Sequence, residues 1–153
     1  MNVEGSHSFA ASRALTWEML LDPEVLKAAL PGCETFLEVA PEQYKVTLTV
    51  SLIAFTAKVT GDVSITDRVA PDSYRVLVSG SGSLGSLNVD VKIRLTGDAP
   101  VRVDYALEIT ADGALGMLGA PVIEPAAKMI MGQFWGALEK QIVARTVPPA
   151  PSP

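Results

Sequence analysis

Cysteine occurs once in the 153 residues, at Cys33, and histidine once, at His7. A lone thiol excludes an intramolecular disulfide and any cysteine-built metal cluster, and no second histidine or carboxylate stands at ligand spacing. Such sparing use of cysteine suits a reducing compartment. Runs of cations are missing as well: 12 Lys and Arg against 17 Asp and Glu leave a net charge of −5. The attraction that drives nucleic-acid binding is therefore absent, and an anionic bilayer finds no polybasic handle. Long hydrophobic runs are also lacking, so no spanning helix is expected. The start, MNVEGSHSF, has neither a basic nor an apolar region of the kind a secretory signal needs. These absences predict a soluble, cytoplasmic protein.

What is present is apolar residues in a regular order. With 48% hydrophobic residues the chain can bury a sizeable core in one domain, taken as 1–145. The remainder, 146–153, reads TVPPAPSP: either an ordinary disordered terminus or the start of a Pro-rich linker. In the middle of the chain a period of two dominates. Tyr44, Val46, Leu48, Val50 and Leu52 alternate with Lys45, Thr47, Thr49 and Ser51, and the runs 55–66, 74–79, 87–95 and 101–109 repeat the pattern. Alternation of this kind predicts an antiparallel sheet with one wet and one buried face. Short strands near Val3–Phe9 and Thr35–Val39 bring the strands to seven.

Helices are expected at both ends of this meander. Ser12 can cap one through Leu20, and Asp22-Pro23 supplies the cap and first residue of a second that ends before Pro31-Gly32. A third runs from about Val122 to Ala144, with Val122, Ile123, Ala126, Met129, Ile130, Gln133, Phe134, Leu138 and Ile142 on one stripe. Pro121 favours placing Pro125 in its first turn. The order predicts an α+β fold whose curved sheet wraps the last helix.

Hairpin links alternate between the two ends of a meander. One end collects 40–43, 70–73 and 96–100, ordinary turns rich in Pro, Asp and Gly. The other collects Pro31-Gly32-Cys33, the tip of TVSLIAFTAKV (49–59), the stretch 80–87 read as a glycine-loosened loop, and 112–119. These carry Ile53, Phe55, Leu84, Leu87, Leu115 and Met117. Apolar tips that converge in space suit the mobile rim of a pocket or a lipid-facing surface, or they fold inward over a closed core.

Catalytic chemistry is not in view, because the inward positions are almost wholly aliphatic or aromatic. His7 shares a strand face with Val3 and Phe9 and reads as a core or edge residue. Gly80-Ser81-Gly82-Ser83-Leu84-Gly85 joins two strands instead of opening a helix, which removes a phosphate-loop reading. Met117, Met129 and Met131 are ordinary core filler or adaptable lining for a long apolar guest.

Taken in order, Glu4-Gly5-Ser6-His7, Trp17, Asp22-Pro23-Glu24-Val25-Leu26 and Leu30-Pro31-Gly32-Cys33-Glu34, then the meander and a Gly/Ala-rich last helix, resemble the G-subunit family of carbon monoxide dehydrogenase, CoxG. That family belongs to the START/Bet v 1-like helix-grip superfamily. The resemblance covers about residues 2–145. It implies a helix-grip fold with an internal apolar cavity and an accessory role beside a molybdenum-containing carbon monoxide dehydrogenase. It further implies recruitment of that enzyme to the inner face of the cell membrane, with a Pro-rich linker leading to an apolar C-terminal segment. No catalytic residue comes with it.

The function expected from both lines is a carrier whose cavity takes a lipophilic quinone, menaquinone being the candidate, and brings it from membrane to dehydrogenase. The expected contacts are Val59, Val76, Val89, Leu107, Leu118, Val122, Met129 and Phe134. Ile53, Phe55, Leu84, Leu87, Leu115 and Met117 are expected at the mouth or facing the membrane. Two other readings stay open: an adaptor with a filled core that docks the dehydrogenase at the membrane, and an enzyme like the cyclases and aromatases among helix-grip relatives.

Overall fold

The computed structural model describes residues 1–52 and 55–146, and for Leu52, Phe55 and Thr146 the backbone alone. The alternating segments become seven antiparallel strands: β1 (Asn2–Phe9), β2 (Cys33–Ala40), β3 (Gln43–Leu52), β4 (Phe55–Val69), β5 (Ser73–Gly82), β6 (Gly85–Gly97) and β7 (Val101–Asp112). Their spatial order is β1-β7-β6-β5-β4-β3-β2, a meander closed at one edge by the first strand. Tyr44, Val46, Ala57, Val63, Ile65, Tyr74, Ile93, Leu95, Val101, Val103, Leu107 and Ile109 are all buried, so the inward face is the one that the period of two marks out. Polar cross-strand pairs hold the outward face; Arg75 Nε donates to Asp90 Oδ1 at 2.8 Å and Lys45 meets Asp62 at 3.2 Å.

Between β1 and β2 lie α1 (Arg13–Leu20) and α2 (Pro23–Ala29). Each starts where a side-chain oxygen accepts from a free backbone N–H: Ser12 Oγ from Leu15 at 3.1 Å, Asp22 Oδ1 from Glu24 at 3.0 Å. The link that follows α2 needs its glycine. Gly32 has φ +72°, its carbonyl accepts from Thr49 N at 2.9 Å, and a Cβ there would stand 2.1 Å from the Thr49 carbonyl oxygen.

Three features differ from expectation. The stretch 80–87 is not a loop: β5 and β6 run on until Gly82 pairs with Gly85, leaving Ser83 and Leu84 as the turn. Hydrogen-bonded neighbours on both sides outweigh the weak strand preference of glycine. A short helix, α3 (Ala114–Leu118), stands between Gly113 (φ +72°) and Gly119 (φ +71°) where only a link was foreseen. Finally α4 (Ala120–Thr146) starts early enough to place Pro125 inside the helix. The carbonyl of Pro121 thereby loses an intrahelical partner, and both prolines sit on the exposed face, where the carbonyl is open to solvent.

The stripe on α4 is also rotated. Trp135, Leu138 and Ile142 are buried with Phe134, while Met129 is 47% exposed and Gln133 is exposed. Trp135 anchors an aromatic cluster, with ring centroids 5.3 Å from Tyr105 and 4.9 Å from Phe134. Gly5 belongs to the same cluster, because a Cβ there would stand 2.4 Å from the Tyr105 hydroxyl.

Candidate functional site: a two-lobed apolar cavity

Where α4 leaves the sheet the interior is hollow, in two adjoining lobes. The inner lobe, about 230 Å³, lies against α1, α2 and the middle of the sheet, with Leu26, Leu30, Phe36, Tyr74 and Phe134 among its walls. The outer lobe, about 250 Å³, lies under α3 and the first half of α4, walled by Val50, Ala57, Ile109, Leu115, Ile123 and Ile130 among others. Leu48, Val59, Val78, Leu87 and Met131 line both. Native cores hold few voids larger than a water molecule, so space of this size is a feature of the fold, not loose packing.

Residue size explains where the hollow lies. Gly61 and Gly80 are cross-strand partners on β4 and β5, in phase with the inward residues, and both line the inner lobe. No side chain rises there. Ala57, Ala126 and Ala127 do the same for the outer lobe.

Among the described residues, no ionisable side chain lines either lobe except Tyr74. Burial pushes the Tyr74 hydroxyl far above the ordinary range of a phenol, so it stays neutral. A charged or strongly polar guest would lose its hydration here and gain nothing in return. Nor do three or more His, Cys, Asp or Glu residues converge to hold a metal ion among the described residues.

Seven of the expected contacts stand at the cavity. Val76 and Phe134 line the inner lobe, Val89, Leu107, Leu118 and Val122 the outer, and Val59 both. Val122 is also 39% exposed, so the outer lobe reaches the surface beside it. Met129 is a correction: the helix turns it outward, and Met131 faces the interior in its place. At the proposed mouth, Leu115 lines the outer lobe and Met117 projects into solvent, 90% exposed. Leu87 stands at the junction of the lobes instead of the rim. Leu84 lines neither lobe; its carbonyl accepts from Leu115 N at 2.8 Å and so ties the β5–β6 turn to α3. Ile53 and the side chain of Phe55 lie outside the described residues.

His7 lines neither lobe. Its ring stacks on Trp135 at 6.3 Å, and Nε2 lies 3.4 Å from a Glu139 carboxylate oxygen. Cys33 is also uninvolved: Sγ donates to the Thr35 carbonyl at 3.3 Å, and partial burial holds its thiol pKa above the ordinary value. Sequence reasoning left Met131 between core filler and adaptable lining, and it missed the paired glycines and the walls from α1 and α2. The phase of Gly61 with Ala57, Val59, Val63 and Ile65 was the signal that could have found the floor.

A family model for the G-subunit of carbon monoxide dehydrogenase (CoxG) matches residues 5–143. The chain belongs to the CoxG family. Comparison with curated proteins returns no match. Among solved structures, a conserved protein from Geobacillus kaustophilus is similar with a TM-score of 0.89 at 25% identity, over 94% of this chain and 96% of that one. A START superfamily protein from Mycobacterium smegmatis follows at 0.75 and 12% identity, over 95% and 99%. A protein from Thermus thermophilus gives 0.74 and 14%, over 96% and 100%. The fold of this CoxG-family chain is thus the START/Bet v 1-like helix grip. Family and fold together suggest an accessory, ligand-binding role beside a carbon monoxide dehydrogenase. No helix among the described residues is long and apolar enough to cross a membrane.

Proposed function

We propose that this chain is the quinone carrier of a carbon monoxide dehydrogenase: it takes a lipophilic quinone, menaquinone being the candidate, from the membrane into its cavity and presents it to the enzyme. The observation that carries the reading is an apolar hollow in two adjoining lobes, about 230 and 250 Å³, in a chain of the CoxG family. The proposed contacts are Val59, Val76, Val89, Leu107, Leu118, Val122 and Phe134, with Leu115 and Met117 at the membrane-facing rim. An adaptor with a filled core would have no use for such a volume, which argues against that alternative.

Magnitudes favour a long tail. Burying a methylene-sized group contributes about 0.8 kcal/mol, so ten buried carbons give ~8 kcal/mol and twenty ~16 kcal/mol. Association itself costs about 4–15 kcal/mol. Ten carbons barely offset that cost, whereas twenty exceed it without any charged contact. The test is organic extraction of the purified protein followed by mass spectrometry, then titration of the extracted protein with menaquinone. Recovery of a quinone, or saturable one-to-one uptake, is the expected result; protein that carries none and takes up none overturns the reading.

A further inference from the structure

Neither lobe reaches the roughly 300–1,000 Å³ typical of small-molecule sites, and together they enter that range. A guest held in one lobe leaves the other empty; a guest that uses the whole site must pass the five residues common to both linings, which form the waist of the site. Four of the five waist residues, Leu48, Val59, Val78 and Leu87, stand on adjacent strands β3 to β6. They are fixed by the sheet, and valine is stiff at χ1. The fifth is Met131, the residue that α4 contributes to both lobes. One turn before it Ala127 lines the outer lobe alone, and one turn after it Phe134 lines the inner lobe alone. Met131 is half-buried and packs against both apolar clusters of the interior. Its unbranched side chain with three rotatable bonds can lie across the waist or along the wall.

We propose that Met131 is a chain-length gate, and that the site is built for a slim flexible chain threaded past it, not for a fused-ring lipid. The inference rests on the carrier reading and deepens it. With Met131 across the waist, the outer lobe beside Val122 is the whole site and takes a short chain. With Met131 along the wall, the lobes join and the far end of a longer chain reaches Tyr74. A rigid sterol skeleton cannot bend round a side chain at the waist, so prenyl and alkyl chains are the matching class.

The test uses lipid-extracted protein and a series of naphthoquinones that differ only in prenyl side-chain length, with cholesterol as the fused-ring comparison, read by native mass spectrometry and checked by thermal melting. For the unaltered chain, affinity is expected to rise with length beyond what one lobe holds, with cholesterol unbound. Met131→Phe, and Met131→Trp, narrow the waist: long chains should weaken by at least about tenfold, a loss of the size one displaced methylene can cause in an apolar pocket, while the shortest are unchanged. Met131→Ala should lift the cut-off to longer chains, and Met131→Leu, of similar size but stiffer, should slow uptake of long chains without moving the cut-off. Folded Met131→Phe, Met131→Trp and Met131→Ala variants whose length profiles superimpose on that of the unaltered chain overturn the gate while the carrier reading stands, as does cholesterol binding as tightly as the long chains. Failure of the unaltered chain to take up a quinone of any length overturns both.

Discussion

One pole of the sheet is packed solid and the other is hollow, although both are made of the same strands with the same alternation. At the solid pole Phe9, Leu95, Val101 and Val103 are 0–2% exposed and meet Trp135, Leu138 and Ile142 from the second half of α4. Polar groups close it: Arg13 donates from Nη1 to Asp72 at 2.8 Å and from Nε to the Gly97 carbonyl at 3.0 Å, and its backbone N–H donates to Asp98 at 3.0 Å. At the hollow pole the facing residues are Val50, Ala57, Val89, Ala126 and Ala127, and closure comes from the Leu84–Leu115 backbone bond and the apolar α3. The difference teaches that alternation selects which face is buried, while side-chain volume in register selects whether the interior is filled.

The contrast can be broken most strongly at the solid pole. Trp135→Ala removes the largest fully buried side chain and should cost about 3–5 kcal/mol in urea unfolding, because the surrounding aromatics cannot collapse into the space. A loss below about 1 kcal/mol would mean that this pole too is loosely packed. Next comes Gly5→Ala, which pushes a methyl into the Tyr105 ring and should cost about 1–3 kcal/mol. Combining it with Tyr105→Ala should remove most of that coupling in a double-mutant cycle.

The hollow pole should respond with the opposite sign. Ala126→Leu adds three carbons where space exists, so unfolding should be unchanged or stabilised by up to ~2 kcal/mol at about 0.8 kcal/mol per added group, while quinone uptake falls. Destabilisation of the size seen at Trp135 would show that the lobe is not available space. The smallest effect belongs to the outer sheet face. The hydrogen bond from Arg75 holds the Asp90 carboxyl below its ordinary value of 3.8. A depressed folded-state pKa contributes stability that is present above the unfolded value and is lost as pH falls through the folded one. Asp90→Asn should therefore lower stability slightly at neutral pH, with the difference shrinking as pH falls below about 4; the pair is solvent-screened, so the effect is small, and a melting series from pH 7 to pH 3 in which the two chains fail to converge at low pH would count against it.

Much of the fold was legible because its signals are local. Ser12 and Asp22 cap helices through atoms two or three residues away, and period-two burial follows from strand geometry alone. The sidedness of Val59, Val76, Val89 and Leu107 was legible for the same reason. Met129 was misplaced because the stripe on α4 was drawn as one broad face, and a rotation of part of a turn, set by packing of Trp135 against Tyr105, moves a residue from lining to solvent. The glycines at 80, 82 and 85 read as a loop because glycine has little strand preference and the β4 partners that hold two of them, Gly61 for Gly80 and Val59 for Gly82, lie out of reach of a local pattern.

By itself the order of residues determined the caps of α1 and α2, the buried face of the central strands and the family to which the chain belongs, since each depends on neighbours in sequence or on motifs at known spacing. Tertiary structure alone decided that Gly61 meets Gly80, that Met131 lines both lobes together with Leu48, Val59, Val78 and Leu87, and that the interior opens into two lobes. Volume enclosed between elements is a property of how they are placed in space, and no periodicity along the chain encodes it.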